Sequence, residues 1–115
     1  MELENFMEAG RSWEIEQLEQ RRAQQGRRYL EFLRLAAMSA GVYTLPAGAT
    51  DAQSPHREDE LYYVVRGRAR MKIGQLDEAV IEGSVLFVAA GVEHRFYDIT
   101  EELVVLVFFA PAESS

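Results

Sequence analysis

Cysteine is absent from the sequence. Its absence excludes a disulfide scaffold, a zinc finger, a thiol nucleophile and an iron–sulfur site. Long apolar runs are absent too, because none approaches the roughly 20 residues that cross a bilayer. The acidic stretch from Met1 to Gly10 lacks the apolar core of a secretory signal. These absences favour a soluble cytoplasmic protein with no membrane partner.

Basic residues are outnumbered, because 12 Lys and Arg face 19 Asp and Glu and leave a formal net charge of −7 at pH 7. An acidic protein repels phosphate backbones, so we expect no nucleic-acid partner. What the sequence does contain is a globular composition, with 48% hydrophobic residues in a chain of 115. A chain of this length buries one ordinary core without disulfides, so we expect a single domain.

The first part of the chain is predicted to contain a helix. Ser12 can cap it and Gly26 can end it, and neither Gly nor Pro occurs between them. Only three large apolar residues lie on it: Trp13, Ile15 and Leu18. That stripe is too thin for a central core helix. We therefore expect a peripheral helix near residues 13–25, within an N-terminal extension of residues 1–28.

From Tyr29 onward the sequence changes to short apolar runs separated by turn signals. Eight runs are predicted as strands: Tyr29–Leu35, Gly41–Leu45, Leu61–Val65, Arg68–Ile73, Ala79–Ile81, Val85–Val88, Arg95–Ile99 and Leu103–Phe109. Short strands at this spacing predict an all-β antiparallel sandwich or barrel over residues 29–110. Residues 111–115 are expected to form a frayed tail.

Two of these predicted strands, Leu61–Val65 and Leu103–Phe109, are apolar on both faces. A strand with one face in water alternates apolar and polar residues. The outer faces of these two strands therefore need cover, from the helix or from a second subunit. Because one short helix cannot cover both, we expect a homodimer.

The chain has only two histidines, and each lies in a segment with regular spacings. In the first segment five residues separate Gly48 from Ser54, and His56 follows two positions after Ser54. Three residues then separate His56 from Glu60, and six separate Glu60 from Gly67.

In the second segment five residues separate Gly83 from Ala89, and Gly91 follows two positions later. Two residues then precede His94, and three more precede Asp98. Together the two segments resemble the paired motifs of the cupin superfamily, small β-barrels with a metal site inside. Ala89 replaces a family Pro, and Asp98 replaces a family Asn.

The resemblance covers about residues 29–110 and is closest to small bacterial single-domain cupins. It implies a double-stranded β-helix, or jelly-roll, barrel. It also implies one divalent metal ion and a small organic molecule as ligand or substrate. The reactions it suggests are those of a metal-dependent dioxygenase, isomerase or lyase. The alternative is a non-catalytic binding or sensing cupin, with or without metal.

His56, Glu60 and His94 fall on ligand positions of the resembled motifs. Without cysteine, imidazole plus carboxylate is the only strong donor combination available. Two imidazoles and one carboxylate bind Fe, Mn, Zn, Ni or Co and leave open positions. The set does not by itself select the metal.

The fourth ligand position is unsettled, because Ser54 stands where the family has a histidine. Ser54 is a poor ligand and is expected to act only through a bound water. Glu58 is the candidate replacement if the chain from 56 to 62 is extended, because it then shares a face with His56. A loop there, which the cupin spacing favours, turns Glu58 to solvent. Asp51 and Gln53 are weaker candidates.

Three further residues are assigned by strand alternation. Tyr62 shares a face with Glu60, so it is the candidate catalytic residue, with an inward packing role as the equal alternative. Phe96 and Asp98 share a face with His94. We expect Phe96 to form a wall of the cavity and Asp98 to orient a ligand or the turn.

Overall fold

The computed structural model describes residues 9–114. Its elements are α1 (Ile15–Gln24), β1 (Tyr29–Arg34), β2 (Ser39–Leu45), β3 (Asp59–Ile73), β4 (Leu76–Val80), β5 (Val85–Val88) and β6 (His94–Ala110). Within these residues, the predicted all-β fold with one short helix is confirmed. Ser115 and the first eight residues of the predicted N-terminal extension lie outside the described residues. Within the described range, no helix has the length and apolar character to span a membrane.

The strands pair in one curled antiparallel sheet in the order β1-β2-β6-β3-β4, and β5 pairs with β3. Strands β3 and β6 form its longest ladder, from the pair Asp59–Ala110 to the pair Ile73–His94. Thirteen residues of straight strand would separate Glu60 from Ile73 by about 43 Å. The bent strands instead bring Glu60 to 3.2 Å from His94, the partner of Ile73. This closure is the predicted jelly-roll barrel.

Two breaks between predicted strands, at residues 66–67 and 100–102, lie inside the continuous strands β3 and β6, so the eight predicted strands become six. Arg66 and Gly67 separate the predicted strands Leu61–Val65 and Arg68–Ile73, but β3 runs through them with shifts of register against β6. Gly67 has φ +110, and a Cβ there would collide with the carbonyl oxygen of Glu102. Glycine at this position therefore marks a bulge where β3 passes close to β6, which sequence alone does not distinguish from a turn.

Strand β4 also begins earlier than predicted, at Leu76 instead of Ala79. Ile73 pairs directly with Leu76, which leaves Gly74 and Gln75 as a two-residue hairpin loop. Gly74 has φ +56, the conformation that such tight loops require. Because this loop is so short, the ladder between β3 and β4 begins directly at the pair Ile73–Leu76.

Apolar side chains pack on both sides of the sheet. The barrel interior contains, among others, Leu45, Tyr62, Val64, Met71, Phe96, Leu103 and Val105. A second cluster on the outer side joins Leu18 of α1 to Leu30, Val42 and Val104 of the sheet. The predicted peripheral helix therefore covers the outer face of β1, β2 and part of β6. Burying Leu18 there contributes roughly 1.5–3 kcal/mol.

The tail is not frayed, which corrects the expectation for residues 111–114. The Ala112 N–H donates to the carbonyl of Ala36 at 3.4 Å, and the Glu113 N–H donates to Ser39 Oγ at 2.9 Å. The Ser114 hydroxyl donates to Glu58 Oε2 at 2.8 Å. The segment after β6 therefore folds back over the barrel, where polar groups of neighbouring segments hold it.

Candidate metal centre

Three elements position the two histidines and Glu60. Glu60 lies near the start of β3 and faces inward, and His94 is the first residue of β6. His56 lies in the loop before β3, and its carbonyl accepts the Gly91 N–H at 2.7 Å. Gly91 has φ +80. This bond ties the loop of the first motif to the turn of the second, so it explains how two distant segments converge.

The three side chains meet at one point inside the barrel. His94 Nε2 lies 3.2 Å from Glu60 Oε1, and His56 Nε2 lies 3.9 Å from the same oxygen. One donor atom from each residue lies within 4.8 Å of the other two. The side chains of Glu60 and His94 are 1% exposed, whereas that of His56 is 20% exposed. The cluster is therefore closed on the barrel side and open at His56.

The hydrogen bonds of His94 fix which of its nitrogens carries the proton. Nδ1 lies 2.9 Å from the carbonyl oxygen of Val92, which can only accept. The proton of the neutral ring is therefore on Nδ1, and Nε2 presents a lone pair to the Glu60 carboxylate. Within residues 9–114, neither oxygen of Glu60 nor Nε2 of His94 has a hydrogen-bond partner. Three buried acceptors thus face one another, and each such group lowers the free energy of unfolding by about 1–3 kcal/mol when it has no partner.

A positive charge would satisfy these acceptors, in the form of a proton or a metal ion. Burial lowers the pKa of His94, but the nearby Glu60 carboxylate, the hydrogen bond to the Val92 carbonyl and the charge of Asp51 outweigh it. The net pKa of His94 is raised above its ordinary value. One proton on His94 would nonetheless leave Glu60 Oε2 without a partner.

The donor set also fits a divalent ion. Atoms bound at about 2.1 Å to one ion lie about 3.0–3.4 Å apart. The 3.2 Å separation between His94 Nε2 and Glu60 Oε1 matches that range. The 3.9 Å separation between His56 Nε2 and Glu60 Oε1 is longer, but a small rotation of the partly exposed His56 side chain would shorten it. His56, Glu60 and His94 are the residues that would hold the ion.

A cavity of about 200 Å³ adjoins the cluster. It is lined by Tyr29, Tyr43, Gln53, His56, Glu60, Tyr62, Val107, Phe109 and Glu113. Tyr62 is fully buried, and its hydroxyl donates to Gln53 Oε1 at 3.1 Å. Burial above all, and then the charge of Glu60, raises the pKa of Tyr62 well above the ordinary phenol value. Tyr62 therefore presents a protonated phenol beside the cluster.

The weaker candidates Asp51 and Gln53 form a hydrogen-bonded network instead of separate ligands. Asp51 is 5% exposed and accepts bonds from Tyr43 (2.6 Å), Gln53 (2.7 Å) and the Phe96 N–H (2.9 Å). These bonds commit both carboxylate oxygens, so Asp51 positions Gln53 and the start of β6. Gln53 Oε1 lies 3.3 Å from Nε2 of His56.

Ser54 is exposed and does not line the cavity. The structure therefore brings Gln53, not Ser54, to the edge of the cluster. The sequence placed Gln53 among the candidates, but nothing in it predicted the carboxylate of Asp51 as the anchor of that side chain.

Glu58 departs from the expectation that a loop would turn it to solvent. It is 6% exposed, and its Oε2 accepts the Ser114 hydroxyl. The cluster of possible ligands within the described part of the chain does not include it. Because Asp59 pairs with Ala110, the segment after Ala110 continues alongside Glu58 and covers it.

The two residues assigned from the alternation around His94 differ in outcome. Phe96 points inward and packs edge-on against Tyr62, with ring centroids 5.1 Å apart, but it belongs to the packed core and is not among the residues that line the cavity. The expectation for Asp98 is wrong, because Asp98 is exposed and has φ +50. That conformation interrupts the alternation of β6, so Ile99 turns inward in its place.

Several cavity residues were not identified from the sequence, Glu113 and Tyr29 among them. Glu113 comes from the tail, and its Oε2 lies 3.4 Å from Nδ1 of His56. Burial raises the pKa of Glu113, against the opposing effect of His56. The hydroxyl of Tyr29 is buried without a hydrogen-bond partner among residues 9–114. A Cβ at Gly41 would collide with the Tyr29 ring, so glycine there makes room for it.

Comparisons with known proteins agree with this geometry. A family model described as a cupin domain matches residues 41–109. An uncharacterized protein of Streptomyces coelicolor is 48% identical over 104 residues, which span 90% of this chain and 99% of that protein.

Solved structures show the same fold at low sequence identity. An RmlC-like cupin from Shewanella frigidimarina has a TM-score of 0.67 at 20% identity, over 73% of this chain and 75% of that one. The DMSP lyase DddQ from Ruegeria pomeroyi has a TM-score of 0.65 at 20% identity, over 76% of this chain and 49% of that one. With the family match and the barrel geometry together, the chain belongs to the cupin family.

Proposed function

We propose that His56, Glu60 and His94 form a divalent metal centre that serves a small organic molecule bound in the adjoining cavity. One observation carries the proposal. Both oxygens of Glu60 and Nε2 of His94 are buried, converge, and have no donor among the described residues. A cation with open coordination positions satisfies all three acceptors, which a single proton does not.

The cavity limits the kind of molecule that fits. At about 200 Å³ it is smaller than the roughly 300–1,000 Å³ of pockets for drug-sized ligands. Its lining contains phenols, an amide and carboxylates, and no Lys or Arg appears among the described lining residues. A small neutral molecule with hydroxyl or carbonyl groups suits this lining better than an anion.

The reactions that such a centre could support are dioxygenation, isomerisation and the elimination that a lyase catalyses. When bound, a divalent ion supplies polarisation of a ligand oxygen or activation of water or dioxygen. Tyr62 is the candidate catalytic residue, because its raised pKa keeps the phenol protonated and able to donate. The Ruegeria neighbour is named a lyase, which supports small-molecule chemistry on this fold without selecting the reaction.

A non-catalytic binding or sensing role is the second candidate. Ser54 stands where the family has a histidine, and this favours the binding or sensing role, because a centre with three protein ligands holds metal less tightly than one with four. Turnover of members of a substrate panel by the metal-loaded protein would favour the enzyme. Ligand binding without turnover would favour the sensor.

Metal content tests the proposal. Protein purified without chelators is analysed by inductively coupled plasma mass spectrometry, and we expect close to one divalent ion per chain. His94→Ala and Glu60→Gln should lose the ion, whereas Glu101→Ala removes an exposed carboxylate away from the site and is the matched control that should retain it. Retention by His94→Ala together with loss by Glu58→Ala would place the site in the 56–60 segment instead. A wild-type protein that binds no ion even after reconstitution contradicts the proposal.

We also propose that a second copy of the chain covers the outer face of β3 and β5. Leu61 pairs with Phe87, and Tyr63 pairs with Val85. These four side chains are between 41% and 60% exposed. Helix α1 lies elsewhere, against Val65, Leu106 and the strands beside them. Exposed apolar side chains in one contiguous patch are typical of a protein interface.

A further inference from the structure

The two ring nitrogens of His56 have different neighbours. Nε2 faces the cluster, 3.9 Å from Glu60 Oε1 and 3.3 Å from Gln53 Oε1. Nδ1 faces away from it and lies 3.4 Å from Glu113 Oε2. An imidazole that binds a metal through one nitrogen carries its proton on the other, and an oxygen acceptor there fixes the ring orientation.

His94 has the same arrangement on the opposite side of the cluster. Its Nδ1 is held by the Val92 carbonyl at 2.9 Å, and its Nε2 points to Glu60. Both rings therefore direct Nε2 to one carboxylate and place an oxygen next to Nδ1. For His94 that oxygen belongs to the backbone of the adjacent turn. For His56 it belongs to a side chain of the tail.

The tail holds Glu113 in place from both sides. Its N–H donates to the hydroxyl of Ser39, which is fully buried, and its carbonyl accepts from the Arg34 guanidinium. The next residue, Ser114, is bonded to Glu58. With its backbone fixed, Glu113 directs a side chain that is 26% exposed into the cavity.

We propose that Glu113 is a positioning residue that accepts the Nδ1 proton of His56 and thereby holds Nε2 toward Glu60 and His94. The purpose of this contact rests on the proposed metal centre, but the contact itself belongs to the metal-free chain. Gln53 Oε1 offers a neutral acceptor on the Nε2 side at 3.3 Å, and it already accepts the Tyr62 hydroxyl. Glu113 offers a carboxylate on the Nδ1 side, and hydrogen bonds to a charged acceptor are the stronger ones, so we expect the proton on Nδ1.

The first test measures the affinity of the full chain for Co(II), whose visible spectrum reports its ligands. Loss of an outer carboxylate partner typically weakens metal binding 10–100-fold, and we expect that loss for Glu113→Ala. Glu113→Gln keeps an oxygen acceptor and should recover most of the affinity. Glu101→Ala removes one carboxylate from an exposed pair with Arg68, so it controls for net charge and should bind as the wild type does.

The second test needs no metal. Long-range ¹H–¹⁵N spectra of histidine-labelled, metal-free protein contain signals from only two rings. At a pH where both are neutral, we expect His56 to carry its proton on Nδ1. In Glu113→Ala the proton should shift toward Nε2, the form preferred in water, while the His94 signals stay unchanged.

The two measurements separate the failures. Equal Co(II) affinity in wild type and Glu113→Ala overturns the positioning role and leaves the metal centre intact. Absence of Co(II) binding in the wild type overturns the metal centre, and the spectra then decide the Glu113 contact alone. A His56 proton on Nε2 in the wild type, or one unaffected by Glu113→Ala, overturns the contact.

Discussion

The buried cluster contains more acceptors than donors. Glu60 and His94 present lone pairs to each other at 3.2 Å, and the barrel wall supplies no donor from the described residues to either. A protein tolerates such a pair only if a cation or a proton occupies the space between them. In the proposed centre, a metal ion and a proton would therefore compete for the same atoms, and we expect metal binding to depend on pH.

That competition predicts the stability of the metal-free protein. The pKa of His94 is raised above its ordinary value of 6.5 in the folded chain. Its stabilising contribution is therefore complete below about pH 6.5 and is lost as the pH rises through the folded pKa. In chelator-treated protein, the unfolding-temperature difference between wild type and His94→Gln should shrink from pH 6 to pH 8.5. A difference independent of pH would contradict the assignment.

Residue chemistry was predictable only where spacing encodes it. His56, Glu60 and His94 were identified because fixed intervals link them to glycine turns. Glu113 and Gln53 lie in segments with no periodic pattern, and their roles depend on where the chain folds back. Glu58 was misplaced for the same reason, since the tail that covers it could not be placed in advance.

At the scale of elements, the bends of β3 and β6 create the site. The bulge at Gly67 lets β3 pass close to β6 while both strands change direction. Alternation predicted the inward residues before this point, such as Tyr62. It failed at Asp98 because a left-handed residue within β6 shifts the period by one.

Replacing Gly67 tests whether this close approach matters. Gly67→Ala would collide with the Glu102 carbonyl and approach Leu103 Cα at 2.7 Å, in a backbone conformation of φ +110. We expect destabilisation on the order of 3 kcal/mol, from strain plus overpacking. Gly83→Ala is the matched control, because φ is +90 but nothing lies within 4 Å. It should cost only about 1–2 kcal/mol. If urea unfolding shows the same loss of stability for Gly67→Ala and Gly83→Ala, the predicted collision with Glu102 is wrong.

At the scale of the whole molecule, two parts of the outer face of the sheet differ in what covers them. Helix α1 covers the outer face around Val42 and Val104, as the doubly apolar run Leu103–Phe109 required. The patch of Leu61, Tyr63, Val85 and Phe87 remains exposed. The sequence predicted that cover was needed, but not which strand each covering element would protect.

Light scattering tests the proposed dimer. The wild type at micromolar concentration should show twice the 13.1 kDa mass of one chain. Phe87→Glu introduces a charge into the exposed patch and should shift the protein to monomer. Leu76→Glu is the matched control, because Leu76 is 52% exposed on β4, outside the patch, and should leave the dimer intact. A wild type that stays monomeric would rule the interface out.

The most direct measurement of the central claim is an anomalous difference map from a crystal of the Co(II)-loaded protein, collected at the cobalt edge. We expect one strong peak inside the barrel, about 2.0–2.2 Å from Nε2 of His56, a carboxylate oxygen of Glu60 and Nε2 of His94. No peak at this point, or a peak bound only by surface carboxylates, would contradict it.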